Sequence, residues 1–525
     1  MSEFEIDLND LGTPGVIADI KGYMLPPEAW TYGHNVRAMD GAMVNIAGQT
    51  QVFGTPTIAP HFMLPIKNSS STYWLYTSLL KAYVYDGASH TDITRAVGGD
   101  YTAGATRDWN GTIIGGVPIL NNGNDVPQYW ASYNPATKLQ PLTNWPSGYK
   151  ARVIRAFDQQ LVAFGLTKSG VAYDHSYLFS SAADPGALPS SWDVTDPTQD
   201  TGENAFPDAE SGLIVDAQML RGAMYVGKEN AIWRLLRIGG RFIFDSKSYL
   251  ETFGLLAPRC MTNVGRLGQQ TMWGQDDILI HNGASQESIL DKKWRRTMFS
   301  RIDGDNYKNC FSFDNTRKSE IWFCYPTAGQ VNPNEALIWN YKDGSLTTTD
   351  VNFRNVAAGF VSNTDLAWDD ETSQTWDGGD DNVWDVGSSR RLVIAQTDTT
   401  KFSGLDEGIT RNGTPISSIL QRTGLALLGR KRDGSWIVDH RVRKLYNRVW
   451  PKIVGGPVYI RMGVQELVDG PVTWGPTQLF NPATDVFVDV GLQSGRALCI
   501  EISSTDAVSW RLDGYKVEYS KLGEF

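Results

Sequence analysis

Ala223-Met224-Tyr225-Val226-Gly227, the turn Lys228-Glu229-Asn230, and then Ala231-Ile232-Trp233-Arg234-Leu235 form the stretch on which the reading of this chain turns. Two short apolar runs rich in β-branched and aromatic residues, joined by three polar ones, read as a hairpin of strands. The same unit recurs along the chain, extended by a turn pair and a short polar strand. Working outward, Thr271-Met272-Trp273-Gly274 is followed by Asp277-Ile278-Leu279-Ile280-His281-Asn282-Gly283, and Glu320-Ile321-Trp322-Phe323-Cys324 resumes as Ala336-Leu337-Ile338-Trp339-Asn340-Tyr341-Lys342-Asp343-Gly344. Upstream, Tyr73-Trp74-Leu75-Tyr76 pairs with Ala82-Tyr83-Val84-Tyr85-Asp86-Gly87. Asp-Gly and Asn-Gly after an apolar run supply the positive φ angles of the favoured hairpin turns.

Weaker copies centre on Thr112-Ile113-Ile114-Gly115 with Val117-Pro118-Ile119-Leu120, and on Leu161-Val162-Ala163-Phe164-Gly165 with Tyr177-Leu178-Phe179-Ser180. Self-similarity at a period of roughly 40–50 residues is the mark of a β-propeller, and these copies predict about six blades. Each unit is a small sheet with two apolar faces that it cannot bury alone, and closure into a ring covers both. An open β-sandwich array of the same strands is the alternative.

The expectation is therefore an all-β protein in three parts. Residues 1–60 form an extended arm, with a short helix starting at Pro26-Pro27-Glu28-Ala29-Trp30 and a hairpin over 35–44 turning at Asp40-Gly41. Residues 61–400 form the propeller. Residues 401–525 form a β-sandwich or barrel, which the arm is in a position to complete. Its strands are Val458–Met462, Val486–Val490, Leu498–Ile502 and Tyr515–Tyr519.

Composition narrows the function classes. The 525 residues carry a formal net charge of −11, so the molecule as a whole repels nucleic acid. No run approaches the ~18 apolar residues of a membrane-spanning helix, and the acidic start Met1-Ser2-Glu3-Phe4-Glu5 does not read as a signal peptide. Folding in a cytoplasm without a membrane anchor is expected. Cys260, Cys310, Cys324 and Cys499 sit in apolar runs, with no zinc or disulfide spacing, and are expected as buried thiols.

No motif for catalysis emerges. The six histidines show no metal-ligand spacing, and no G-x-S-x-G, H-E-x-x-H or Walker loop is present. The carboxylates of 367–386 (AWDDETSQTWDGGDDNVWDV) do not follow the order of a calcium loop. Its Trp-Asp pairs are too closely spaced for WD repeats. Ser181-Ala182-Ala183-Asp184-Pro185-Gly186 misses the Asp-box spacing and reads as a turn. No enzyme, cofactor or metal is expected.

Two basic clusters interrupt the acidic background. Lys292-Lys293-Trp294-Arg295-Arg296 reads as a solvated loop tip. Arg430, Lys431 and Arg432, followed by Arg441, Arg443, Lys444 and Arg448, form a longer cluster suited to DNA phosphates or an acidic partner, or else another solvated loop.

The arm ends in N-V-R-x-x-D-G-x-x-x-x-x-x-G, Asn35 to Gly48. With Phe157–Ala163, Tyr177–Ala182, Trp192-Asp193, Val449–Ile453 and Trp510–Tyr515, the chain resembles the tail nozzle, or hub, proteins of short-tailed bacteriophages, also called packaged-DNA stabilization proteins. The resemblance implies a virion structural protein, assembled in the host cytoplasm as a homo-hexameric ring. It further implies a head–tail adaptor above, tailspikes or fibres at the side, a needle or plug below, and genomic DNA passing through without sequence recognition. The competing class is a propeller that binds or cleaves carbohydrate.

Overall fold

In the computed structural model, Ala223–Lys228 and Ile232–Arg237 are adjacent antiparallel strands, with Tyr225 opposite Arg234. The structure describes residues 3–67, 71–104, 109–131, 133–240, 243–265, 267–361, 390–397 and 400–524. The acidic stretch 367–386 lies outside them. Alternation of side chains across a strand explains why the unit needs two neighbours. Met224, Val226, Ala231, Trp233 and Leu235 pack toward the preceding sheet, whereas Ala223, Tyr225 and Ile232 pack toward the following one.

Six blades of four consecutive strands follow one another over 62–92, 110–141, 149–205, 214–250, 261–288 and 311–350, and each contains one of the repeats read from the sequence. A further sheet closes the ring. It consists of Phe353–Gly359, Arg391–Gln396 and Phe402–Leu405, with Gln49–Val52 from the arm as its outer strand. One face packs on the sixth blade through Phe353, Ile394 and Leu405. The other packs on the first through Val393, Ala395 and Phe402. The ring thus takes in chain from before position 61 and beyond 400.

In the third blade the period of two is interrupted once. Leu161 and Ala163 face the second blade, while Val162 and Phe164 face the fourth. A register shift between Phe164 and Leu166, at Gly165 with φ 65°, returns Leu166 to the side of the second blade. This is the behaviour of a β-bulge, and glycine accepts the positive φ without strain.

The C-terminal part is a sandwich of two sheets, and neither is confined to it. In one, Trp510–Glu524 lies between Val442–Gly455 and the arm strands Glu3–Asn9 and Ala42–Asn45. The other continues the sixth blade. Its last strand, Leu346–Asp350, bridges in parallel to Tyr32–His34, which pairs with Ser418–Leu425 and so leads to Ala497–Ser504 and Val458–Gln465. Between the sheets lie Leu8, Val36, Met43, Leu420, Tyr446, Ile460, Ile500, Trp510 and Val517.

The arm segment Asn35–Gly48 is the joint. Asn35 adopts φ 55°, and its amide is fully used: Nδ2 donates to Asp350 Oδ2 (3.0 Å) and Ser417 O (2.7 Å), while Oδ1 accepts from Thr349 Oγ1 (2.8 Å) and Asp350 N (2.9 Å). Arg37 is buried between the sixth blade and the closing sheet. Its guanidinium meets Asp406 Oδ1 and Oδ2 at 2.5 and 3.2 Å and Glu320 Oε1 at 3.5 Å, over the Trp322 ring. Burial alone would weaken its hold on the proton; Asp406 and Glu320 outweigh this and raise its pKa. Asp40 and Gly41, at φ 49° and 76°, make the expected hairpin turn. A Cβ on Gly48 would come within 2.6 Å of Thr410 N.

Two local expectations change as well. No helix starts at Pro26. Ala29 N donates to Pro26 O, closing one turn, after which Trp30 bridges to Val16 and its indole donates to Leu11 O, pulling the chain straight; a 3-10 turn lies at Gly22–Met24 instead. The cluster Lys292–Arg296 is not a loop tip. It opens the helix Arg295–Arg301, with Trp294 buried and donating to Val16 O at 2.6 Å. Asp19 of the arm caps that helix, accepting from the backbone of Arg296 and Thr297. The four cysteines are buried free thiols.

Candidate functional sites

The second basic cluster divides once folded. Leu427–Arg430 and Trp436–Val438 pair as a two-stranded hairpin on the sandwich, with Lys431 and Arg432 exposed at its tip. Arg430 stacks over Trp436 at 4.2 Å, and the Trp436 indole donates to Glu28 Oε1 at 2.8 Å, anchoring the hairpin to the arm. Arg441 is held by Asp439 through Nε and Nη2, at 3.2 and 3.0 Å. Arg443 meets Glu466 at 2.9 Å.

Lys444 does not belong to the surface cluster. It alternates inward on the strand Val442–Gly455, is 0% exposed, and donates to Arg496 O at 2.7 Å. Burial pushes its pKa down to about 8, with Asp439 opposing and Lys521 adding. The available contact set is thus Arg430, Lys431 and Arg432 at the hairpin, with Arg441 and Arg443 already paired.

The sequence reading missed a well on the propeller axis of about 560 Å³. It is built from residues on, or just before, the first strand of each sheet: His61, Asn110, Arg152, Arg155, Asp216, Arg259, Asn309 and Arg354 come from every blade around the ring. Side chains here staple neighbouring blades. Asn110 Nδ2 donates to Arg152 O and its Oδ1 accepts from Ile154 N, both at 3.0 Å. Arg155 Nη2 meets Asp216 Oδ1 at 2.5 Å and its Nε donates to Ala217 O, while Asp216 Oδ2 accepts from Arg259 N at 2.8 Å.

Arg354 Nη1 lies 2.6 Å from His61 Nε2, and Arg259 Nη1 donates to Arg354 O at 3.3 Å. With Lys308 at the mouth, the lining carries five Lys or Arg against two carboxylates, Asp216 and Glu229, in a chain of net charge −11. The signal was present in sequence as a polar or basic residue at the start of each blade's first strand. It becomes legible only once those starts are known.

No family model and no curated protein matches the chain. Among solved structures it is similar to the WD40 domain of Toxoplasma gondii coronin, at 10% identity over 68% of this chain and 83% of that one, with a TM-score of 0.36. It is also similar to the β-propeller domain of Cps50 (Swd1) from Myceliophteria thermophila, at 7% identity over 68% and 99% of the two chains and a TM-score of 0.39. What they share with this chain is the propeller. Among the described residues, no helix is long and apolar enough to cross a membrane.

Proposed function

We propose that this chain is a structural subunit of a short bacteriophage tail, a nozzle or hub assembled in the host cytoplasm. In this reading it forms a homo-hexameric ring below the portal and adaptor, makes and closes the DNA channel, and anchors tailspikes or fibres and a needle or plug. The observation that carries an assembly role is the border of the sandwich at Val488–Gly495, the last strand of its sheet. Val486, Phe487 and Leu492 are exposed along it, and Leu479 lies on the adjoining strand Gln478–Phe480. An edge strand flanked by apolar side chains favours contact with another chain.

The joint at Asn35–Gly48 supports the same reading, because it welds arm, propeller and sandwich into the one stiff body that a ring under DNA pressure requires. The hairpin cations Arg430, Lys431 and Arg432 are offered to an acidic neighbour, and the acidic exterior repels DNA phosphates and keeps the genome from sticking. The carbohydrate reading is less well supported. The carboxylates of the axial well are occupied, Asp216 by Arg155 and Glu229 by the Leu213 amide, whereas glycoside hydrolysis needs a carboxyl pair poised for proton transfer.

Mass in solution by light scattering, alone and with adaptor-bearing particles, tests the proposal. A hexamer or recruitment to the particles is expected, and the double substitution V486D/L492D should abolish it. A stable monomer that ignores the particles and cleaves polysaccharide would overturn it.

A further inference from the structure

We propose that the axial well binds a small polyanion, a molecule presenting several phosphate or carboxylate oxygens. This does not depend on the tail reading, since it concerns the inside of one chain. The well's volume, about 560 Å³, lies within the range of small-molecule sites. Its walls mix apolar surface, from Trp109, Val153 and Leu255, with a few convergent polar groups, the usual make-up of such a site.

Charge chooses the ligand. Even with Arg155 offset by Asp216 and Arg152 by Asp174, Arg259, Arg354 and Lys308 outnumber Glu229 in the lining, so the well carries a positive excess within a chain that is strongly acidic. Low-dielectric walls focus such a field on whatever enters. Of the two lining carboxylates, Asp216 adds no competing acceptor, because it is clasped by Arg155 and by the Arg259 amide, and Glu229 accepts from the Leu213 amide. Two of those three cations, Arg259 and Arg354, are arginines, whose planar fork matches two oxygens of a phosphate or carboxylate at once.

Rigidity strengthens the case. Arg155 is fixed by Asp216 and by the carbonyls of Ala217 and Ile154, and Arg152 by Asp174 at 2.9 Å. These fixed groups hold the wall of the well rigid, so little freedom is lost when a ligand arrives, which favours affinity. Lys308, exposed at the rim, adds a mobile charge that can follow the ligand in.

Calorimetric titration of the full chain at low salt, with tripolyphosphate in one arm and citrate in the other, tests this and separates phosphate from carboxylate chemistry. Saturable one-site binding is expected in at least one arm. It should weaken about tenfold in R354Q and severalfold in K308Q, and stay unchanged in the hairpin variant R432Q. Lys308 is solvent-exposed, so K308Q keeps the test sharp even if R354Q folds poorly. Absence of saturable binding at millimolar concentration overturns the proposal. So does binding that falls only in R432Q or persists undiminished in both axial variants.

Discussion

Replacing Arg37 with methionine removes the buried cation that meets two carboxyls. In the native protein Arg37 meets Asp406 at 2.5 Å and Glu320 at 3.5 Å, with Asn315 Nδ2 also donating to Asp406 at 2.6 Å and the Trp322 indole to Glu320 at 3.0 Å. The Glu320 carboxyl is pushed up to about 7 by burial, with Arg37 pulling it down and Asp406 raising it. A group whose folded pKa exceeds its unfolded value makes folding less favourable as pH rises between the two, here from the ordinary glutamate range toward 7.

Without Arg37 this penalty grows, because breaking a buried pair by removing one partner costs about 3–5 kcal/mol. Acid offers an escape. Neutralising a carboxyl of ordinary pKa near 4 costs about 1.4 kcal/mol at pH 5 but about 5.4 kcal/mol at pH 8. Arg37→Met should therefore lose about 3–5 kcal/mol at pH 8 and no more than about half of that at pH 5. Urea unfolding followed by tryptophan fluorescence reads this directly, since Trp322 lies beneath the guanidinium. A loss under about 1 kcal/mol at pH 8, or equal losses at both pH values, would refute the account of the arm as an electrostatically locked joint.

Gly48→Ala should destabilise the chain by about 1–3 kcal/mol, because the added methyl meets Thr410 backbone that cannot move aside; an unchanged thermal midpoint would contradict this. For Lys444, burial holds the folded pKa at about 8, below the unfolded value, so the unfolded chain binds more protons above pH 8 and stability rises with pH there. Between pH 7.5 and 9.5 the wild type should gain about 2 kcal/mol relative to K444Q in denaturant unfolding, and parallel profiles would show that the lysine is not buried as described.

By itself the sequence determined the blades, because what makes a blade is local. Apolar runs of strand length and Asp-Gly or Asn-Gly turns specify a four-stranded unit, and the two apolar faces of Ala223–Leu235 demand neighbours on both sides. All six repeats became blades for that reason. The closing sheet could not be seen in the same way. Its fourth strand, Gln49–Val52, pairs with Phe402–Leu405 across some 350 residues of chain, and no local signal encodes such a partner.

Arg37, Glu320 and Asp406 likewise stand far apart in sequence, and only the closed ring reveals them as one buried network. Lys444 read as surface charge because it lies among other cations, until the period of two in its strand turned it inward. Trp294 read as a loop tip for the same kind of reason, and the arm buried it. The axial well is the extreme case, because its arginines are scattered singly at the starts of inner strands and acquire a shared environment only through circular closure. Local propensity fixes short elements, whereas burial, charge pairing and concavity are properties of residues brought together across the whole chain.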